Sequence, residues 1–285
     1  TSNVGFGSGT FAAVEAGATL NTAMGVNALQ DLTTGDGNTA IGYQAALNAT
    51  TANNTVAIGN AAIGSGVLTG DDNVAIGRLA GNDLTSGTYN NFMGLQAGAN
   101  VTTGTGNVFQ GYQAGEFTTT ANYSIAIGYS AISLGVMTGT DNTAIGRQAG
   151  NDLTSGTYNV FGGYAAGKNA TTASYTVAIG SEAIGTGILT GVSNVAIGRL
   201  AGNDLTIGTY NNFMGYIAGR NATTANNTVA IGNGAIGVGV LTGTDNIAIG
   251  QLAGADLTSG AYNFFGGYQA GFNATTASYT VAIGP

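Results

Sequence analysis

Short apolar runs recur along the chain in which large aliphatic residues alternate with small ones, as in Thr55-Val56-Ala57-Ile58-Gly59. A period of two is the signature of a strand, with Val56 and Ile58 on one face and Ala57 and Gly59 on the other. Each run closes on a glycine, at 25, 42, 59, 77, 94, 111, 128, 146, 163, 180, 198, 215, 232, 250, 267 and 284, always 17 or 18 residues apart. A short fixed period makes each repeat one structural unit stacked on the next. The pattern predicts an all-β fold, a parallel β-solenoid with 17–18 residues per coil and about 16 coils. At the strand spacing of about 4.8 Å, such an array is a rod on the order of 70 Å long.

Residues 1–24 are expected to form an irregular first coil and residues 25–285 a continuous repeat array. From Gly128 to Gly180, Gly232 and Gly284 the step is 52 residues, a super-repeat of three coils. Its first coil carries an inserted turn, such as Ile132-Ser133-Leu134-Gly135-Val136-Met137-Thr138, and its third is entered through Phe. One extra coil, near 107–123 and entered through Phe109, breaks the rhythm. The residue after Phe is Met93, Gln110, Gly162, Met214 or Gly266 instead of Ile, so bulk gained on one face is often lost on the other, which reads as packing compensation.

Alanine follows the closing glycine by three residues, without exception from Ala28 to Ala270, and suits a place where backbone layers nearly touch. A second short strand is expected in segments such as Asp83-Leu84-Thr85, followed by turn residues. Because the Val-Ala-Ile strand is apolar on both faces, it needs cover on both, and that implies a second chain. Asn recurs four residues before the glycine, from Asn21 to Asn263, and stacked coils align these amides into a ladder.

Composition removes whole classes of chemistry. The 285 residues include 51 Gly, 1 Pro, no His, no Cys and no Trp. Without His or Cys the usual general base, metal ligand and thiol nucleophile are missing, so no catalytic residue, no metal site and no cofactor is expected. A net charge of −8 with 5 Lys plus Arg disfavours nucleic acid as a partner. No apolar run approaches the roughly 18 residues of a membrane-spanning helix, so this segment is not expected to insert in a membrane. The recurrent carboxylates follow an Arg by five residues, as Arg78 and Asp83, Arg147 and Asp152, and Arg199 and Asp204, and are expected in ion pairs within or between chains. Tyr occupies the position after the glycine at Tyr43, Tyr112, Tyr129, Tyr164, Tyr216 and Tyr268, in an outward column, and these are the candidate ligand-binding residues. A Thr column, one per coil from Thr33 to Thr275, raises an ice-binding alternative, which adjacent pairs such as Thr50-Thr51 do not suit, since neighbours in a strand face opposite ways.

The segments Asn73-Val74-Ala75-Ile76-Gly77, Asn142-Thr143-Ala144-Ile145-Gly146 and Thr176-Val177-Ala178-Ile179-Gly180, each with Ala three residues past its glycine, resemble the head repeats of YadA-like trimeric autotransporter adhesins. They look equally like the repeats of phage tail-fibre proteins, and the coil of 17–18 residues, longer than is common in the adhesin heads, sits closer to the latter. The resemblance covers nearly all the chain and implies a left-handed β-roll, a homotrimeric fibre and an extracellular place on a cell surface or virion. It further implies a structural and adhesive role, as a shaft or head that meets a host-surface protein or glycan; with no anchor, stalk or tail chaperone in it and its last coil cut at Pro285, the chain is expected to be a fragment of a longer fibre. The alternative is a monomeric or filament-forming solenoid that binds ice or polysaccharide.

Overall fold

The computed structural model describes residues 2–284. Among them lie 17 strands of three residues, paired in parallel as a β-solenoid of about 16 turns. They fall into two compact units divided between Asp141 and Asn142. The first runs from β1 (Val4–Phe6) and β2 (Thr22–Met24) to β8 (Ile125–Ile127), and the second from β9 (Thr143–Ile145) to β17 (Val281–Ile283).

Within each unit every strand pairs with the next in a register that sets like against like, for example Val56 on Val74, Ala57 on Ala75 and Ile58 on Ile76. That register holds although Gly59 and Gly77 are 18 residues apart and most coils have 17. The extra residue is taken up in the inserted turn, where Gly66 still donates to the Asn82 carbonyl at 3.0 Å while Val67 is pushed outward, 56% exposed. Parallel pairing of identical steps keeps each coil's backbone groups bonded to its neighbours.

The strand centre points inward. Ala57, Ala75, Ala178 and Ala196 are fully buried, with the Leu84 and Leu205 type of side chain closing the opposite side of the coil. All fifteen alanines of the Gly-x-x-Ala step are buried as well. The closing glycine is required twice over. At Gly59 φ is 137°, a region closed to other residues, and a Cβ there would lie 2.5 Å from the carbonyl oxygen of Gly77 in the next coil.

Three expectations are corrected by the structure. The segment Asp83-Leu84-Thr85 is not a second strand: Leu84 plugs the core, its amide turned back on the Gly81 carbonyl, while the Asp83 and Thr85 amides on either side donate to the Ala99 and Thr102 carbonyls of the next coil, both at 2.9 Å, before Ser86 and Gly87 turn the chain. One strand per coil is therefore the unit. The residue after Phe does not compensate for Phe either, because the two lie on opposite faces: Phe213 is fully buried whereas Met214 is exposed. Room for the Phe213 ring comes instead from Gly202 and Gly219, where a Cβ would fall 2.8 and 2.5 Å from the ring. Gly202 belongs to the coil before the Phe213 strand and Gly219 to the coil after that strand's closing glycine; where no ring lies alongside, that position holds Ile63, Ile132 or Ile236, all buried, so volume is conserved between neighbouring coils. Lastly, residues 4–24 are not irregular at their strands, since Val4, Gly5 and Phe6 pair with Thr22, Ala23 and Met24. Gly5 stands where Ala is usual, and the Phe11 ring lies 3.0 Å from the place its Cβ would take.

The asparagines form the expected ladder in short runs. Asn90 donates through its backbone N and its Nδ2 to Asn73 Oδ1, both at 3.1 Å, and through Nδ2 to the Gly104 carbonyl at 2.7 Å. Each run ends on Thr or Ser, as where the Thr228 amide takes Asn211 Oδ1 at 3.1 Å. These amides are fully buried, so each bond replaces water that cannot reach the site. In the super-repeat the core Phe of the extra coil also finds a partner: the Phe92 and Phe109 rings stack at 5.4 Å inside the first unit.

Candidate functional site: the outer strand face and its tyrosines

Because the strand centre faces in, its first and third residues face out. In the first unit these are Val56, Ile58, Val74 and Ile76, all partly exposed, with Met24 and Met93 more open. In the second they include Val195, Ile197, Val229 and Ile231, with Ile145, Ile179 and Ile249 exposed. Each unit thus carries a row of aliphatic side chains on solvent, an unusual use of a β-sheet face in a chain whose core is mainly Ala.

Tyrosines flank this row on both sides. On the far side of the closing glycine stand Tyr43, Tyr112, Tyr129, Tyr164, Tyr216 and Tyr268, all exposed, as the sequence led one to expect. On the near side, just before the Asn ladder, stand Tyr89, Tyr123, Tyr158, Tyr175, Tyr210, Tyr262 and Tyr279, also exposed. The sequence reading missed this second column. Its signal was present, Tyr immediately before the ladder position, but the backbone there is left-handed, with φ of 57° at Tyr89 and 58° at Tyr210. That conformation, costly for an aromatic residue, turns each ring out of the coil. Where columns hold Tyr in successive coils the rings stack, Tyr112 on Tyr129 and Tyr158 on Tyr175 at 5.2 Å, and Tyr262 on Tyr279 at 5.1 Å.

Arginines join the tyrosine column and not the aspartates. Arg147 lies over the Tyr164 ring at 4.4 Å and Arg199 over Tyr216 at 5.6 Å. Among the described residues no ion pair joins Arg78, Arg147 or Arg199 to the Asp five residues on within the chain, which removes the intrachain half of that expectation. The reason is geometric: Arg leaves the coil beside the strand, whereas Asp83 and Asp204 lie on the opposite turn and bond to Asn82 Nδ2 and Thr186 Oγ1. Two carboxyls are perturbed. Burial pushes Glu116 above the usual carboxylate range, and burial raises Asp152 while the charge of Lys168 pulls it down.

Much of the Thr column is used by the fold. The Thr85, Thr154 and Thr206 hydroxyls donate to the carbonyls of Thr102, Thr171 and Thr223 at 2.9 to 3.0 Å. Among the described residues no cluster of three or more Asp or Glu is placed to hold a metal ion, and no helix is long and apolar enough to cross a membrane. The largest chemical variety is in the second unit, where Tyr164, Lys168, Asn169, Glu182 and Thr186 line a cavity of about 270 Å³. Compared with known protein families, curated proteins and solved structures, the chain matches none of them.

Proposed function

We propose that this chain is a structural and adhesive segment of an extracellular fibre, in which three copies cover one another's outer strand rows and present the tyrosine columns to a host-surface protein or glycan. The observation that carries this reading is the aliphatic outer row, Val74 and Ile76 or Val195 and Ile197 in pattern, which the chain itself does not cover. Burying such a row gains about 25 cal/mol per Å² of apolar surface, and a self-complementary row supplies that cover from its own copies. The likeness of the Asn-Val-Ala-Ile-Gly segments to adhesin heads and phage tail fibres supports three copies and a left-handed roll. The spent threonine hydroxyls weigh against a lattice of free hydroxyls for ice.

Adhesion through a repeated surface is many weak contacts, so linked copies gain avidity without a new contact. Beads carrying increasing numbers of the protein are expected to hold cells or immobilised glycans with a steeply rising strength, unchanged by chelator. Attachment that grows only in proportion to copy number, or hydrolysis of a bound glycan, contradicts the reading.

A further inference from the structure

Six tyrosines share the position after the closing glycine, and at Tyr164 an ammonium, an amide, a carboxylate and a hydroxyl meet around one cavity. The cavity beside Tyr164 is bounded by Lys168 and Asn169 from its own coil and by Glu182 and Thr186 from the next. Lys168 is the only lysine of the chain. Asn169 is fixed, its Nδ2 donating to the Thr186 carbonyl at 2.9 Å.

The same place beside Tyr216 keeps the backbone and the fixed amide, Asn221 Nδ2 donating to the Val238 carbonyl at 2.8 Å. It has Gly234 where Glu182 stands and Val238 where Thr186 stands, so it has no carboxylate and no hydroxyl. Beside Tyr43 the matching residues are Leu47 and Ala61, and Tyr112 is stacked on Tyr129 in the following coil. The 52-residue repeat therefore changes the chemistry at this place from Tyr164 to Tyr216 while keeping the frame.

The geometry points to a binding site for a single neutral pyranose at Tyr164. Arg147, from the preceding coil, covers one face of the ring. In the following coil the residue at the tyrosine position is Ser181, small enough to leave that side of the ring open toward Glu182. A pyranose has an apolar C–H face that lies flat on an aromatic ring, and a rim of hydroxyls that both donate and accept. Glu182 accepts from that rim, and the Lys168 ammonium donates to it. Two cations, Lys168 and Arg147, set against two carboxyls, Glu182 and the Asp152 on which Lys168 acts, leave no net formal charge to prefer an acidic or basic ligand. A volume of about 270 Å³ lies just under the range of roughly 300–1,000 Å³ that holds drug-sized ligands, and is enough for one sugar ring.

This inference makes the ligand of the proposed adhesive surface specific, and rests on that reading for its biological use. The test is NMR of the whole chain with labelled Tyr ring carbons, titrated separately with methyl β-glucopyranoside, methyl β-galactopyranoside and methyl α-mannopyranoside. Concentrations to about 20 mM cover a weak site with Kd near ~1 mM. At least one pyranoside is expected to shift the Tyr164 signals saturably, with loss of binding in Tyr164→Ala. Glu182→Gln should weaken it about tenfold, the equivalent of one charge-assisted hydrogen bond, and Ile207→Ser, on an exposed turn outside the cavity, should leave it unchanged. No saturable shift with any of the three, or a shift that survives both cavity substitutions, overturns the site. Beads that attach to cells while no pyranoside binds remove this site and leave the adhesive reading; saturable binding at Tyr164 with beads that never attach does the reverse.

Discussion

The inner and outer sides of the same three-residue strands follow different rules. Between β2 and β17 the inward centre is Ala or Phe and nothing else, whereas the outward neighbours range over Val, Ile, Thr, Met, Asn, Gln, Phe and Gly. Inside, the constraint is volume: the coil is thin, and a Phe such as Phe213 fits only because Gly202 and Gly219 give way. Outside, size varies freely while most positions stay apolar, with Thr22, Thr39, Asn91, Gln110, Thr143 and Asn212 as the polar interruptions, a pattern that the chain's own packing does not impose. The difference teaches that the inner row specifies the coil and the outer row specifies something that lies against it.

The inner rule is broken most severely by removing its largest occupant. Phe213→Ala should cost about 3–5 kcal/mol, because the ring is fully buried and flanked by glycines that cannot fill the void. Thermal or denaturant unfolding measures it, and a cost under about 1 kcal/mol is what a surface change gives.

Next in size is the ladder that borders the inner row. Asn211→Ala removes the bonds to Asn194 Oδ1 at 3.0 Å and to the Ala225 carbonyl at 2.7 Å, and strips the Thr228 amide of its acceptor. Two buried backbone groups are left without partners, at about 1–3 kcal/mol each before relaxation. Hydrogen exchange at the Thr228 amide should accelerate; unchanged protection there means that the ladder is not what holds it.

A smaller effect separates inside from outside within one coil step. Ala149→Leu overpacks a fully buried site and should cost about 1–3 kcal/mol, while Tyr164→Ser, on an exposed ring, should cost roughly half a kcal/mol or less. Equal melting temperatures for the two variants would mean that the faces are not as described.

Much of this division was legible in the sequence. Alternation of Val-Ala-Ile gave the strands, the glycine period gave the parallel stack, and the Asn column gave the ladder, because each is a one-dimensional regularity that stacking converts directly into contact. What was not legible depended on which way a residue points. The flat Phe-Gly pair at 161–162 reads as compensation until the strand shows Phe161 buried and Gly162 on the other face. The Arg-to-Asp spacing of five reads equally as a pair within one chain or between two, until the coil carries the two residues to different sides and removes the first. At the candidate site the far tyrosine column followed from its place after the glycine, but the near column needed the left-handed turns at Tyr89 and Tyr210, and the Tyr164 cavity needed the lateral meeting of residues 14 and 18 positions apart at Lys168 and Glu182.

The outer row is tested most directly by the mass of the protein in solution, measured by light scattering on the whole chain. If copies of the chain cover one another's aliphatic rows, the particle has three times the chain mass, and Ile76→Asp with Ile197→Asp, which place charges in that row, reduces it to one. A wild-type chain that stays monomeric at every concentration tested, its Val and Ile rows open to water, contradicts the proposal that this face is made to be covered.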